Sequence, residues 1–137
     1  METEVLTEKE IKEAKEALLG VRVWFIIEVV MYGIGTLTLL VISIVIPIIL
    51  AQSTGEPIAV WASAGGFLIG IIVVAAFLIL YIVALNGILK KKNYSFTFGM
   101  AMLIISMFWI PVGTIVGAIL LTRYNTQLVR KYLGFNR

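Results

Sequence analysis

Three long stretches of this chain are almost free of charge, and this limits its possible folds more than any other feature. Between Val23 and Leu50 the one charged residue is Glu28, and none occurs from Ile58 to Leu89 or from Tyr94 to Thr122. Apolar runs longer than about 18 residues are long enough to cross a bilayer as helices. A chain of 137 residues has no core large enough to hide three of them. Hydrophobic residues make up 61% of the chain and charged residues 14%, against about 45–50% and about 25% in soluble domains. The chain therefore reads as an all-α integral membrane helical bundle. The first run is too long for the apolar core of a cleaved signal peptide and follows a Glu- and Lys-rich segment, so it is expected to stay as an anchor.

Residues 1–22 form the first expected unit, a cytoplasmic amphipathic helix, and residues 23–137 the transmembrane domain. Thr7 and Glu10 have the spacing of a capping box, in which each side chain satisfies a backbone N–H left free at a helix start. Ile11, Ala14, Leu18, Val21 and Phe25 then recur every three or four residues and make one narrow apolar stripe. The opposite face mixes Glu and Lys, with Glu8 and Lys12 placed for an i,i+4 pair.

The first span is expected from Val23 to Leu50, with Pro47 as a kink or an exit point. A polar turn, 51-AQSTGEP-57, leads to a second span from Ile58 to Leu89, which ends at 90-KKK-92. The segment 94–122 fits either one long kinked helix or two short ones. Cytoplasmic flanks are enriched in Lys and Arg. With the N-terminus inside, two crossings return Lys90–Lys92 to the inside, and only a hairpin brings Arg123, Arg130, Lys131 and Arg137 back as well. The hairpin also sets Trp24, Tyr94 and Tyr124 at the inner interface and Trp61 and Trp109 at the outer one, where such rings concentrate. Pro111 suits the start of the second short helix. The expectation is four transmembrane helices, two long and two short as a hairpin, with both termini cytoplasmic. The tail from Arg123 is expected to prolong the last helix, with Tyr124, Leu128 and Tyr132 on one face along the inner headgroups.

Few residues can carry a function. Helices in lipid associate through small residues that let backbones approach. Ala62, Gly66 and Gly70 line one helix face, and so do Gly113 and Gly117; each face can serve packing within the subunit or contact between subunits. Glu28 is costly in hydrocarbon unless partnered. Tyr32 lies one turn further on, and Asn86 and Arg123 are expected at the same inner depth. A polar clasp of Glu28, Tyr32, Asn86 and Arg123 would fix helix packing or, in the alternative, form a titrating site for proton or cation movement. A plain interfacial glutamate facing water is the third possibility.

The chain has no Cys, no His and no Asp, so it lacks the usual ligands of zinc, copper, haem and iron–sulfur clusters. No metal and no cofactor is expected. Ser43 and Ser106 have no base near them in sequence, and a serine within a helix commonly returns its hydroxyl to a backbone carbonyl. Enzyme chemistry is not expected. The net charge of +3 comes from the flanks of apolar runs and gives no nucleic-acid face.

The stretch 111-PVGTIVG-117, followed by an apolar run and a basic tail, resembles the last helices of small prokaryotic four-helix membrane proteins of uncharacterised function, which share a P-x-G-T-x-x-G core. The likeness covers roughly the last 40 residues, and 117-GAILLTRY-124 stands where those proteins often have an aromatic-rich stretch. It implies a four-helix membrane protein of a prokaryotic plasma membrane and brings no activity or functional residues. The glutamate in a first helix is similar to that of bacterial small multidrug transporters, whose glycine pattern and tail this chain does not share.

Two functional classes follow: an accessory or structural subunit that associates with membrane lipids and with other membrane subunits or itself, and a small channel or proton-coupled transporter using Glu28. The topology has a direct test in this cysteine-free chain. Lys91→Cys and Arg137→Cys should react with a membrane-impermeant thiol reagent from the same side; labelling from opposite sides would remove the hairpin arrangement.

Overall fold

The computed structural model describes residues 6–108 and 112–135. The described residues form five α-helices and no strand. α1 spans Glu8–Thr54, α2 Pro57–Leu89, α3 Ser95–Ser106, α4 Val112–Tyr124 and α5 Gln127–Tyr132. The capping box forms as expected: the Thr7 backbone N–H donates to the Glu10 carboxylate at 2.8 Å, and the Glu10 N–H donates to the Thr7 hydroxyl at 3.4 Å. The Thr7 N–H, then the Thr7 hydroxyl, hold the Glu10 carboxyl below the usual carboxylate range, with a further contribution from Lys131.

α1 does not break at residue 22. It runs without interruption for 47 residues, through Pro47, or about 70 Å at 1.5 Å per residue. The expected polar turn shrinks to Gly55 and Glu56. Gly55 takes the left-handed conformation (φ 65°) that terminates α1, and Pro57 opens α2, where its missing N–H costs nothing. α2, with 33 residues, is about 50 Å long. Both are long and apolar enough to cross a membrane.

The chain divides into two compact units. One contains α1 up to Ile27 and everything from Tyr81 onward; the other is Glu28–Leu80. The second unit is an antiparallel pair of helices. Tyr32 stacks on Phe77 with ring centroids 5.8 Å apart. Gly35 lies against Val74 and Gly70 against Leu39, each 3.9 Å from where a glycine Cβ would sit. Each step forward along α1 is matched by an equal step back along α2. Around this contact line the helices expose Leu37, Val41, Ile44, Ile48, Leu68, Ile69 and Ile72.

The first unit has a true core. The stripe read from the sequence is buried: Ala14, Leu18, Val21 and Phe25 are fully enclosed. Phe25 meets Tyr81 edge-on at 5.6 Å, and Leu120 of α4 approaches Gly20 so closely that a Cβ there would be 3.0 Å away. Segment 94–122 is two short helices rather than one long one. Gly117 receives Met107, Ser106 and the Leu103 carbonyl, and the Thr114 hydroxyl donates to the Met107 carbonyl at 2.7 Å. With 12 and 13 residues, α3 and α4 rise about 18 and about 20 Å, short of the roughly 30 Å hydrocarbon core. Trp109 and Pro111, expected to mark the hairpin tip, lie outside the described residues.

One expectation is corrected. The tail does not prolong the last helix. α4 ends at Tyr124, and Thr126, in extended conformation, caps a new helix by accepting a hydrogen bond from the Val129 N–H. The break turns Val129, Tyr132 and Leu133 inward, while Leu128 is only half-buried. Tyr124 is fully enclosed within the protein. Its ring stacks on Phe96 at 5.4 Å and its hydroxyl donates to the Ser95 carbonyl at 2.6 Å. This clamps the start of α3 to the end of α4. Gly99 makes room for it, since a Cβ there would collide with the Tyr124 hydroxyl.

Tyr124→Phe keeps the stacked ring but removes a buried hydrogen bond, and should lower stability by about 1 kcal/mol in a reversible unfolding assay. Gly99→Ala should cost more, and the two changes together less than the sum of their separate effects, because removing the hydroxyl frees space for the new methyl group.

Candidate functional site

The residues expected to form a clasp fall in both units. Glu28 and Tyr32 lie one helical turn apart on α1, in the second unit, and both are buried; the glutamate is 6% exposed. Their shared face follows from helical geometry, since residues four apart project from the same side. Asn86, near the end of α2, and Arg123, in the last turn of α4, belong to the first unit and are both exposed. The glutamate of the sequence pattern is thus withdrawn from solvent, whereas the amide and guanidinium proposed for it lie open.

The two serines noted in sequence have local partners. The Ser43 hydroxyl donates to the Leu40 carbonyl at 2.7 Å, and the Ser106 hydroxyl to the Leu103 carbonyl at 2.7 Å. Neither hydrogen bond leads to a base, which agrees with a structural rather than a nucleophilic use.

The small-residue faces divide. Gly113 and Gly117 are buried, and Gly117 is filled by α3, so that stripe serves packing within the subunit. Gly70 touches Leu39 within the helical pair, but nothing lies within 4 Å of a Cβ built on Gly66. Ala62 and Gly66 are exposed. The same motif type is therefore filled in one place and open in the other, and only proximity in three dimensions separates the two.

Sequence reading did not single out the corner where the α2–α3 turn meets α5. Lys91 Nζ lies 4.0 Å from the centroid of the Tyr132 ring, and the Arg130 guanidinium 5.0 Å from that of Phe96. Arg130 also donates to the Asn125 side chain at 3.0 Å. Cations within about 6 Å of an aromatic face are attracted by the negative potential of the ring. The available signal was a basic triplet and a basic, aromatic tail; their meeting needed the α4–α5 break, which the pattern concealed.

No family model, curated protein or solved structure matches the chain.

The division of the glycines has a test. Gly117→Leu should disrupt α3–α4 packing and lower stability by about 1–3 kcal/mol. Gly66→Leu should leave the stability of the single chain nearly unchanged, as measured by unfolding of the detergent-solubilised protein.

Proposed function

We propose that this chain is a non-catalytic integral membrane protein that works by association, as an accessory or structural subunit of a larger membrane complex or as a homo-oligomer. The observation that carries the membrane part is the exposure of the long helices. None of the residues in the most apolar window of α1 is buried inside the protein. An apolar core helix of a soluble protein would be mostly enclosed, whereas a lipid-facing helix keeps its oily side chains outward. In this reading α1 and α2 cross the bilayer, α3 and α4 enter it as a short pair that thins it or crosses in part, and the basic flanks stay cytoplasmic. A prokaryotic plasma membrane fits the resemblance of 111-PVGTIVG-117.

Association is supported by the open Ala62–Gly66 face, which has the small surface that membrane helices use for close approach and meets nothing in the single chain. Mild-detergent purification followed by native mass spectrometry tests it. Wild-type protein should appear with itself or with other membrane subunits, and Gly66→Leu should release the single chain. A wild-type chain that is already alone, or a variant that stays fully assembled, would remove association through this face.

A second reading rests on one observation, the burial of Glu28. A carboxyl group withdrawn from solvent in a membrane helix marks ion or proton pathways in other proteins. As a channel or proton-coupled transporter, the protein would use Glu28, with Tyr32 one turn further on the same helix face. Glu28→Gln separates the roles. Intact assembly with lost proton flux in reconstituted vesicles supports transport, lost assembly supports a packing role, and no change in either dismisses both roles.

A further inference from the structure

α1, α2 and α5 all end on a residue with left-handed backbone. At α1 it is Gly55 and at α5 it is Gly134, with φ of 65° and 77°; at α2 it is Lys91, with φ of 49°, and among the described residues it is the one non-glycine with positive φ. α2 and α5 close with the same pair of hydrogen bonds. In α5 the Phe135 N–H reaches the Arg130 carbonyl and the Gly134 N–H the Lys131 carbonyl; in α2 the Lys92 N–H reaches the Gly87 carbonyl and the Lys91 N–H the Ile88 carbonyl. This double closure ordinarily takes glycine at the position filled by Lys91, because any Cβ is disfavoured there. The chain itself uses glycine at the equivalent point of α5. A lysine held against that preference points to a use for its side chain.

Its surroundings indicate the use. Lys90, Lys91 and Lys92 are consecutive and exposed. Lys91 is held over Tyr132 and Lys92 lies 5.9 Å from the centroid of the Tyr94 ring, itself exposed. Arg130 of α5 is held by Phe96 and Asn125. Asn93 reaches Gly134, 3.6 Å from where a Cβ would sit, so the turn and the end of α5 are in contact. Lys131 is left out of the set, because it acts on Glu10. The outcome is three lysines on the turn at the end of an apolar helix and Arg130 on α5, which meets that turn, with aromatic rings against Lys91, Lys92 and Arg130.

We propose that Lys90, Lys91, Lys92 and Arg130 form a binding site for the phosphate of anionic phospholipid headgroups at the surface of the bilayer. The site rests on the membrane reading given above, because it needs the end of α2 to lie at headgroup level. Basic residues at that level attract anionic lipid, with a gain of about fivefold in binding per cation. The aromatic rings hold the side chains in place, which reduces the ordering required when a headgroup binds.

The full chain in nanodiscs, of phosphatidylcholine alone or with phosphatidylglycerol, provides the test, with bound lipid counted by native mass spectrometry. The wild type should retain phosphatidylglycerol in preference to phosphatidylcholine. Lys91→Gly should reduce that preference about fivefold while its melting temperature stays the same or rises, since glycine suits the backbone. Lys90→Gln with Lys92→Gln, which leaves the turn residue intact, should reduce it further. Unchanged preference in these variants, or a lower melting temperature for Lys91→Gly, would overturn the site and leave Lys91 a packing residue. Equal stabilisation of the detergent-solubilised protein by inorganic phosphate would overturn the assignment to lipid. Detergent phase partition keeps the two readings apart: a chain found in the aqueous phase removes the membrane reading itself, whereas a membrane-resident chain without lipid preference removes only this site.

Discussion

Everything in this structure depends on satisfying backbone polar groups within the chain. Helices whose side chains are apolar on every side offer those groups no water, so each N–H and C=O must be paired along the helix. α1 and α2 obey this over most of their length, and their hydroxyls follow the same rule. Thr36 donates to the Tyr32 carbonyl, Thr38 to Ile34, Ser43 to Leu40 and Ser63 to Val60. Each polar side chain is turned back on the turn before it, so it neither calls for a distant partner nor breaks the helix. Pro47 gives up one N–H, yet α1 continues to Thr54.

With the backbone paired along each helix, the close fit of side chains adds to the buried apolar core in holding the first unit together. Its helices meet where one side is glycine and the other a large side chain: Gly20 with Leu120, Gly87 with Tyr94, Gly99 with Tyr124, Gly117 with Met107. Close approach gains dispersion contacts at many atoms at once. The second unit has looser contacts at Gly35 and Gly70, and Glu28 and Tyr32 are its buried residues among those described. The first unit is thus held by its own fit, while the second is a pair of helices whose outward surface is apolar.

How much of this was legible in the sequence depended on whether a signal was local. The Thr7–Glu10 cap, the stripe from Ala14 to Phe25 and the ends of α2 rest on spacing or charge within a few residues and appear in the fold, and the split of 94–122, read from the placing of basic residues on either side of it, appears as well. The continuity of α1 was less visible, because a change of composition at residue 22 resembles a boundary although the backbone has no reason to stop there. The enclosure of Tyr124 was hidden for a different reason. Its partners, the Ser95 carbonyl and the gap at Gly99, both lie more than twenty residues away in sequence. The same limit applies to glycines. Gly66 and Gly117 have the same pattern in sequence, and only the neighbour that reaches one and not the other distinguishes them.

The candidate sites differ in the kind of evidence they hold. Glu28 is a local anomaly, a charge where apolar residues surround it in sequence, and its burial is what helical periodicity with Tyr32 leads one to expect. Lys91 is an anomaly only in three dimensions, because a lysine in a basic triplet is ordinary until its backbone angle is known. The second kind is the more informative. A buried carboxyl group can be explained by packing alone, whereas a Cβ at a helix end that two other helices of the same chain fill with glycine raises the energy of the fold and must be offset by something the side chain does. The contact with Tyr132 offsets part of it, but Lys91 remains an exposed residue beside two further exposed lysines. That residual charge, exposed at the end of an apolar helix, is the part of the arrangement that packing leaves without a purpose.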